Sequence, residues 1–330
     1  MKGLLLTCLS LASLAVGAPS SRRQDGVTSQ QLKDFKLFAQ WSSAASCNSD
    51  KAANEPVTCF EDQCSIFASH NATVAASFIG TALDTRGFIG VDPVDKQIVV
   101  SFRGSTSVRN WIADFIFVQV PCDLGLGCLA HTGFYASWGE VSTRVLAGVR
   151  AAVAANPSYK VVVTGHSLGG AVATLATAYI RKAGIAADLY TYGSPRVGNL
   201  PFVEYVTKQA GAEYRITHAD DPVPRLPPIL LNYRHVSPEY WIDPGTDDVV
   251  ALDEVDYCAG YSNVKCNGGT KGLNMEAHGY YFQQLEGCKS GEGTPFRRAE
   301  KSDEELVAML NLYVDLDIEV AKNLHAEGQS

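Results

Sequence analysis

A β-branched run that ends in Gly-x-Ser-x-Gly constrains this chain more than any other segment: Val161-Val162-Val163-Thr164-Gly165-His166-Ser167-Leu168-Gly169-Gly170. A helical stretch of small residues, 171–178, follows without a loop. A strand that hands over to a helix within a few residues must turn sharply, and a serine at the apex of that turn holds its hydroxyl clear of the backbone. Gly165 and Gly169 leave room for the turn and for a substrate against it. The first N–H groups of the helix have no partner inside it, so they face any negative charge that develops beside the serine. The bland alternative is a tight strand–helix turn whose serine only caps the helix. A strand before and a helix after favour a nucleophile elbow at Ser167.

The same alternation runs through the chain. Residues 97–102 read as a buried strand ending at Arg103-Gly104, and 141–155 have helical spacing that stops at Asn156-Pro157. Residues 160–164 form the strand before the elbow, and the elbow helix runs on to about Lys182. Further strands are expected at 188–192 and 214–218, with a late hairpin of 233–236 against 239–242. Strands alternating with helices predict an α/β fold with a mostly parallel central sheet flanked by helices. At 330 residues, 46% apolar and 19% charged, the chain can bury a large core as one domain. A net charge of −8 argues against nucleic acid as a partner.

The ends read differently from the body. Lys2, the apolar run 4–16 and the small residues to Ala18 have the form of a secretory signal peptide, 1–18. The run is too short for a membrane anchor, so the expected product is secreted and extracellular. Arg22-Arg23 marks 19–23 as a propeptide, which leaves 24–290 as the main domain. Residues 291–330 form a linker and an amphipathic tail. Arg297-Arg298 is a second dibasic pair, and 299–330 carry eight acidic residues against two lysines. Leu306, Met309, Tyr313, Leu316 and Val320 share one helical face. The tail is therefore either a cleaved C-terminal propeptide or a helix docked on the body.

Nine cysteines become eight once Cys8 is assigned to the signal peptide. An even count in an exported chain argues for four disulfides. Cys59–Cys64, Cys122–Cys128 and Cys258–Cys266 are local by spacing, which leaves Cys47 and Cys288, although spacing alone does not fix connectivity. No metal site is expected, because paired Cys-x-x-Cys knuckles are missing. Asn71-Ala72-Thr73 is a glycosylation sequon.

A serine hydroxyl needs a base, and the base needs an acid to fix its tautomer. Downstream histidines are His218, His235, His278 and His325. His325 lies in the tail and His235 inside a strand-like pattern, whereas His278 follows a Gly/Asn-rich loop suited to delivering a base. For the acid, Asp220 and Asp221 compete on the loop after the strand 214–218. Spacing does not decide between them, and the bland reading of either is a turn cap before proline.

Phe102-Arg103-Gly104-Ser105, the elbow, Gly193-Ser194-Pro195-Arg196-Val197-Gly198-Asn199, Asp221-Pro222-Val223-Pro224-Arg225-Leu226-Pro227-Pro228, Ser237-Pro238-Glu239-Tyr240-Trp241 and Ala277-His278 occur in that order. From about Leu32 to Cys288 the chain resembles the secreted filamentous-fungal class 3 lipases of the Rhizomucor, Thermomyces and Fusarium type. The resemblance implies an α/β-hydrolase fold with a short helical lid, Ser167 as nucleophile, Asp221 as acid and His278 as base. It implies an oxyanion hole from Ser105 and Leu168, and the pairing Cys47–Cys288, Cys59–Cys64 and Cys122–Cys128, with Cys258–Cys266 an addition seen in some members. It also makes 107–117 the lid. By pattern alone, Val108, Trp111, Ile112, Phe115 and Ile116 form one apolar face and read as core packing. Asp114 would then hold the Ser105 hydroxyl.

The function these residues imply is triacylglycerol hydrolysis at a lipid–water interface through an acyl-enzyme, with interfacial activation, by a monomer that needs no cofactor. A mono- or diacylglycerol lipase, a phospholipase A1 and a feruloyl esterase are the alternatives within this fold. The apolar lid segment argues against the feruloyl esterase. An inactive binding module is the alternative of another class, and the intact Ser167, Asp221 and His278 argue against it.

Overall fold

The computed structural model describes residues 26–60, 64–105, 108–113, 116–243, 250–285, 288 and 301–326. The expected signal peptide and propeptide, Asp114 and Phe115 of the lid segment, and both dibasic pairs lie outside them. The strands are β1 (Thr73–Ile79), β2 (Arg86–Asp92), β3 (Gln97–Phe102), a small ribbon of β4 (Gln119–Pro121) and β5 (Leu129–His131), then β6 (Lys160–His166), β7 (Ala187–Tyr192), β8 (Glu213–His218), β9 (Glu239–Ile242) and β10 (Val255–Cys258). The helices are α1 (Ser29–Asn48), α2 (Ser65–Ser69), α3 (Val108–Ala113), α4 (Thr132–Ala155), α5 (Leu168–Lys182), α6 (Leu200–Thr207), α7 (Met275–Gly279) and α8 (Asp303–Ala326).

Among the described residues one eight-stranded sheet runs β1-β2-β3-β6-β7-β8-β9-β10. β3, β6, β7, β8 and β9 are parallel, and the flanking pairs are antiparallel. The central strands are apolar on both faces because both faces are covered: Ile98, Val99, Val100, Val161, Val162 and Val163 are all buried. One core packs α4, α5 and α6 on one face (Trp138, Val145, Leu175, Phe202). The other packs α1 on the opposite face (Phe35, Phe38 and Trp41 against Phe88 and Tyr190). Helix α1 starts at a capping box, with Thr28 Oγ1 accepting from Gln31 N–H and Gln31 Oε1 accepting from Thr28 N–H. All four expected cysteine pairs are joined, and Cys47–Cys288 closes the longest loop, 241 residues in separation.

Two expectations are corrected. The late hairpin is β9 with β10, not 233–236 with 239–242. The backbone of 233–236 is engaged elsewhere: Arg234 N–H donates to the Gly198 carbonyl, His235 N–H to the Tyr261 carbonyl, and the Val236 carbonyl accepts from Arg215. Helix α8 buries a stripe shifted from the expected one: Leu306 is common to both, and Met309, Tyr313 and Val320 are half-buried at its edge. Leu306, Leu310, Val314, Asp317 and Ala321 face inward, while Leu316 is 37% exposed. The helix turns this way because Asp317 is the carboxylate of a buried ion pair with Arg196.

Candidate active site

Strand β6 and helix α5 meet at Ser167 as the elbow pattern requires. Ser167 sits at φ 57°, ψ −128°, a conformation in which a non-glycine residue is strained. Its N–H is fixed by the Tyr192 carbonyl at the end of β7, 2.9 Å away. A Cβ at Gly165 would strike the Gly169 carbonyl, and one at Gly169 would strike the Phe102 carbonyl, so both glycines are required by close approach. The end of β3 reaches the same point. A Cβ on Gly104 would stand 3.5 Å from the Ser167 Cβ, which brings half-buried Ser105 beside the elbow. Leu168 is the first residue of α5.

Asp221 and His278 arrive from two loops. Asp221 lies beyond β8 and is fully buried, and His278 is carried by α7 at 2% exposure. The His278 Nδ1 stands 2.9 Å from both carboxylate oxygens of Asp221. Tyr281 donates its hydroxyl to Asp221 Oδ2 at 2.5 Å, and Val223 N–H donates to Oδ1 at 2.9 Å. Burial opposes ionisation of Asp221, but the His278 imidazole, the Tyr281 hydroxyl and the Val223 N–H together outweigh it and hold the carboxyl below its ordinary value. The opposite ring nitrogen, His278 Nε2, and the Ser167 hydroxyl are both buried, and neither has a hydrogen-bond partner among the described residues. No hydrogen bond joins the two among the described residues, and His166, the residue before Ser167, packs its ring on that of His278.

Several residues at this centre were not singled out by the sequence. Gly193, at φ 54°, makes room: a Cβ there would stand 2.8 Å from Asp221 Oδ2, 2.9 Å from the Tyr281 hydroxyl and 3.1 Å from His278 Cε1. His166 packs its ring 4.6 Å from that of His278 and bonds Nε2 to the His278 carbonyl at 2.7 Å. Burial first, then the neighbouring His278, lower the His166 imidazole to about 3, so it stays neutral and donates that bond. Its place beside Ser167 in the pentapeptide was the available signal. Nothing local marks Tyr281, three residues past His278, as a partner of Asp221.

His218 touches this centre through its carbonyl, which accepts from Asp221 N–H, and through its ring, which meets that of Tyr281 edge-on, but it does not reach the Asp221 carboxylate. His235 is buried against the Pro224 carbonyl at 2.7 Å, its imidazole kept far below its ordinary value by burial and then by Arg215 and Arg196. His218 Nδ1 lies 3.1 Å from the Ala277 carbonyl. His70, Asp92 and Asp95 have metal-capable atoms within 4.8 Å of one another, and the geometry already pairs His70 with Asp92 and closes a turn on Asp92.

Helix α3 packs on the loop that follows Asp221 and on α8. Ile112 is buried with Val223, Leu226 and Leu310, and Val108 and Trp111 are half-buried. Ile116 lies outside the helix Val108–Ala113 and is 70% exposed, so it does not join the apolar face expected of it. Helix α8 lies against α3. Asp303 accepts from Arg109 Nε at 2.8 Å, Lys301 Nζ donates to the Ala113 carbonyl at 2.9 Å, and Tyr313 meets Phe117 edge-on.

Comparison with known proteins finds relatives of this chain along most of its length. Residues 99–231 match a family described as Lipase (class 3). The chain is 47% identical over 332 residues to secreted mono- and diacylglycerol lipase 1 of Fusarium solani, covering 97% of this chain and 99% of that one. A crystal structure of a mono- and diacylglycerol lipase from Aspergillus oryzae superposes with a TM-score of 0.74 at 41% identity, over 78% of this chain and 99% of the other. A structure described as a triacylglycerol lipase whose catalytic centre is a serine protease triad superposes with a TM-score of 0.69 at 32% identity, over 80% and 99%.

Proposed function

The chain belongs to the class 3 lipase family, and on that premise we propose that it is a secreted acylglycerol lipase whose catalytic residues are Ser167, His278 and Asp221. The family membership makes it a carboxylic ester hydrolase with the α/β-hydrolase fold. The observation that carries the residue assignment is the buried Asp221–His278 pair, held beside the strained Ser167 of the elbow by the ring and Nε2 contacts of the adjacent His166. Ser167 Oγ attacks the ester carbonyl, and His278 Nε2 takes its proton and returns it to the departing glyceride alcohol. Water, deprotonated in turn by His278, releases the fatty acid. Asp221 holds the Nδ1–H tautomer and stabilises the imidazolium. The oxyanion is received by Leu168 N–H and by Ser105, and loss of one such donor typically costs about 10²–10³ in kcat.

Mono- and diacylglycerols are the preferred substrates in this reading, supported by the names of the Fusarium and Aspergillus relatives. Triacylglycerol is the second reading, supported by the third relative's description and by the apolar face of α3. Helix α3 is the lid and the lipid–water interface its trigger. Secretion is supported by the leader-like N-terminus and by the Fusarium relative's name. Among the described residues no helix is long and apolar enough to cross a membrane. The sequon Asn71 is exposed and open to a glycan. The buried Arg196–Asp317 pair supports a tail that stays docked even if the chain is cut at Arg298.

A serine-directed phosphonate should label Ser167, and Ser167→Ala and His278→Ala should abolish both labelling and hydrolysis. Labelling at another serine refutes the assignment. Rates on monoolein, diolein, triolein, phosphatidylcholine and methyl ferulate then rank the substrates. Triolein hydrolysed faster than the partial glycerides would favour the second reading.

A further inference from the structure

Two adjacent aspartates follow β8, and only Asp221 touches the imidazole. Asp220 is engaged in another way. Its Oδ1 accepts a hydrogen bond from Asn274 Nδ2 at 2.7 Å. Asn274 is the N-cap of α7, with its own Oδ1 accepting from Ala277 N–H at 2.9 Å. The backbone carbonyl of Asn274 accepts from the His278 N–H at 3.4 Å. The imidazole of His278 then returns to Asp221. Through the peptide linking Asp220 to Asp221 the bonds form a closed ring that grips one histidine twice, once by its backbone and once by its ring.

Helix α7 has five residues, too few to hold its place by its own hydrogen bonds. Its position is set by whatever fixes its first turn. Arg225 and Asn267 bind the two loops together through backbone carbonyls: Arg225 to Asp220, Thr270 and Gly272, and Asn267 to Ala219 and Asp221. Side-chain bonds reach the turn bearing the base at both ends: His166 and His218 meet the carbonyls of His278 and Ala277, and Asp220 holds Asn274, the cap of its first turn. We propose that Asp220 is a positioning residue for His278, acting through Asn274. This rests on the assignment of His278 as base.

The test uses the full chain, with kcat and KM on p-nitrophenyl butyrate and the rate of phosphonate labelling at Ser167. Asp220→Ala removes the acceptor and lets α7 shift. Because small misplacements of a catalytic group carry large rate costs, kcat should fall about 10- to 100-fold with KM changed less than about 2-fold. Asp220→Asn retains an acceptor oxygen and should recover most of that loss. Asn274→Asp keeps the helix cap but sets two carboxylates face to face, so it should lose as much as Asp220→Ala. Combining Asp220→Asn with Asn274→Asp restores an amide-to-carboxylate bond in the reverse direction and should return kcat to within about 5-fold of the parent. Melting curves show whether each variant is folded. If Asp220→Ala does not fold, Asn274→Asp against the double variant carries the test. A folded Asp220→Ala with parental kcat, or a double variant no faster than Asn274→Asp, overturns the inference. If His278→Ala remained active, the base assignment itself would be wrong. If His278→Ala is dead while Asp220→Ala is unimpaired, only the role of Asp220 falls.

Discussion

The C-terminal helix is fastened to the body by a charge pair that water hardly reaches. The side chains of Arg196 and Asp317 are 1% and 3% exposed, with Nη1 3.0 Å from Oδ2. The other oxygen of Asp317 accepts the Leu230 N–H at 3.1 Å. Burial pulls the guanidinium below its ordinary range, and Asp317 is the main charge opposing that pull. Asp317→Ala therefore removes the counter-charge of a buried cation and orphans a backbone donor. Breaking a buried pair from one side costs about 3–5 kcal/mol. Arg196 keeps its bonds to the carbonyls of Arg225 and Pro227, which places the expected loss near the lower end, about 3 kcal/mol. For scale, Leu306, Leu310 and Val314 are the large apolar side chains of α8 that are fully buried. At about 1.5–3 kcal/mol each they supply at most about 5–9 kcal/mol, an upper bound because the reference chain is extended. Losing one partner of the pair thus costs about a third or more of what the burial of those three side chains supplies.

The expected result is local. Opening of α8 should become about 100-fold more frequent, by hydrogen exchange read over 303–326, while β6, β7 and β8 keep their protection. Arg196→Met combined with Asp317→Leu removes both charges and should restore most of the protection, since a buried pair is often replaceable by apolar residues of similar volume. Unchanged exchange in α8 of Asp317→Ala would refute the reasoning. So would a double variant as loose as the single one, because the cost would then lie elsewhere than in an unpaired charge.

Other outcomes follow from the same contacts. Gly193→Ala combines a positive φ with a Cβ among Asp221, Tyr281 and His278, and should cost about 100-fold or more in kcat/KM. A folded variant with parental phosphonate labelling would contradict this. The carboxyl of Asp221 is lowered in the fold, so the stability it contributes is present above the unfolded carboxyl value of about 4 and is lost as pH falls through the lower folded value. Tyr281→Phe removes one of its donors and raises the folded value toward the unfolded one, so melting curves should show a smaller acid loss that is complete at a higher pH, and an unchanged acid limb counts against the hydroxyl. Replacing Cys47 and Cys288 by serine opens a loop of 241 residues and should cost about 5 kcal/mol in the chain-entropy account, measured by urea unfolding. A loss below about 1 kcal/mol would show that the denatured chain is not freed by opening it.

The parts of the fold legible in the sequence are those whose signal is local. β3 matches its expected bounds, and the elbow is marked by a strand, two glycines and a helix in succession. β1 and β2 carried no such signal. β2 reads Arg-Gly-Phe-Ile-Gly-Val-Asp, and its glycines look like breaks until their neighbours are known. A Cβ at Gly87 would strike the Ser101 carbonyl, and one at Gly90 would strike the Trp41 ring. Those demands come from the neighbouring strand β3 and from α1, and they become visible only once the sheet and the helix on it are assembled. Helix α1 escaped detection for a related reason. Apolar residues and serines are buried together over 41–45, so the stripe that periodicity seeks is blurred. The inward face of α8 was misread because its most constrained residue, Asp317, is charged, and a charge inside is visible only once its partner is placed.

The same distinction explains why the choice between two aspartates could not be made from spacing. Ala219 sits at φ 41°, so the backbone turns just before the pair and sends consecutive carboxylates to different partners. Asp221 is held inward by its own contact to Val223 N–H and meets the imidazole. Asp220 goes to the turn that carries that imidazole. The stretch Gly193 to Asn199 likewise has a physical reason at several of its positions. Gly193 clears space for the His278–Asp221 contact, Arg196 anchors α8, Gly198 bridges to Ala130 and Arg234, and Asn199 caps α6 while holding Leu129. Seven residues after one strand touch four separate elements, so a change at any of several of them disturbs a different neighbour. Such density of constraint makes a short motif informative about a fold, and its first residue, Gly193, stands against the His278–Asp221 pair.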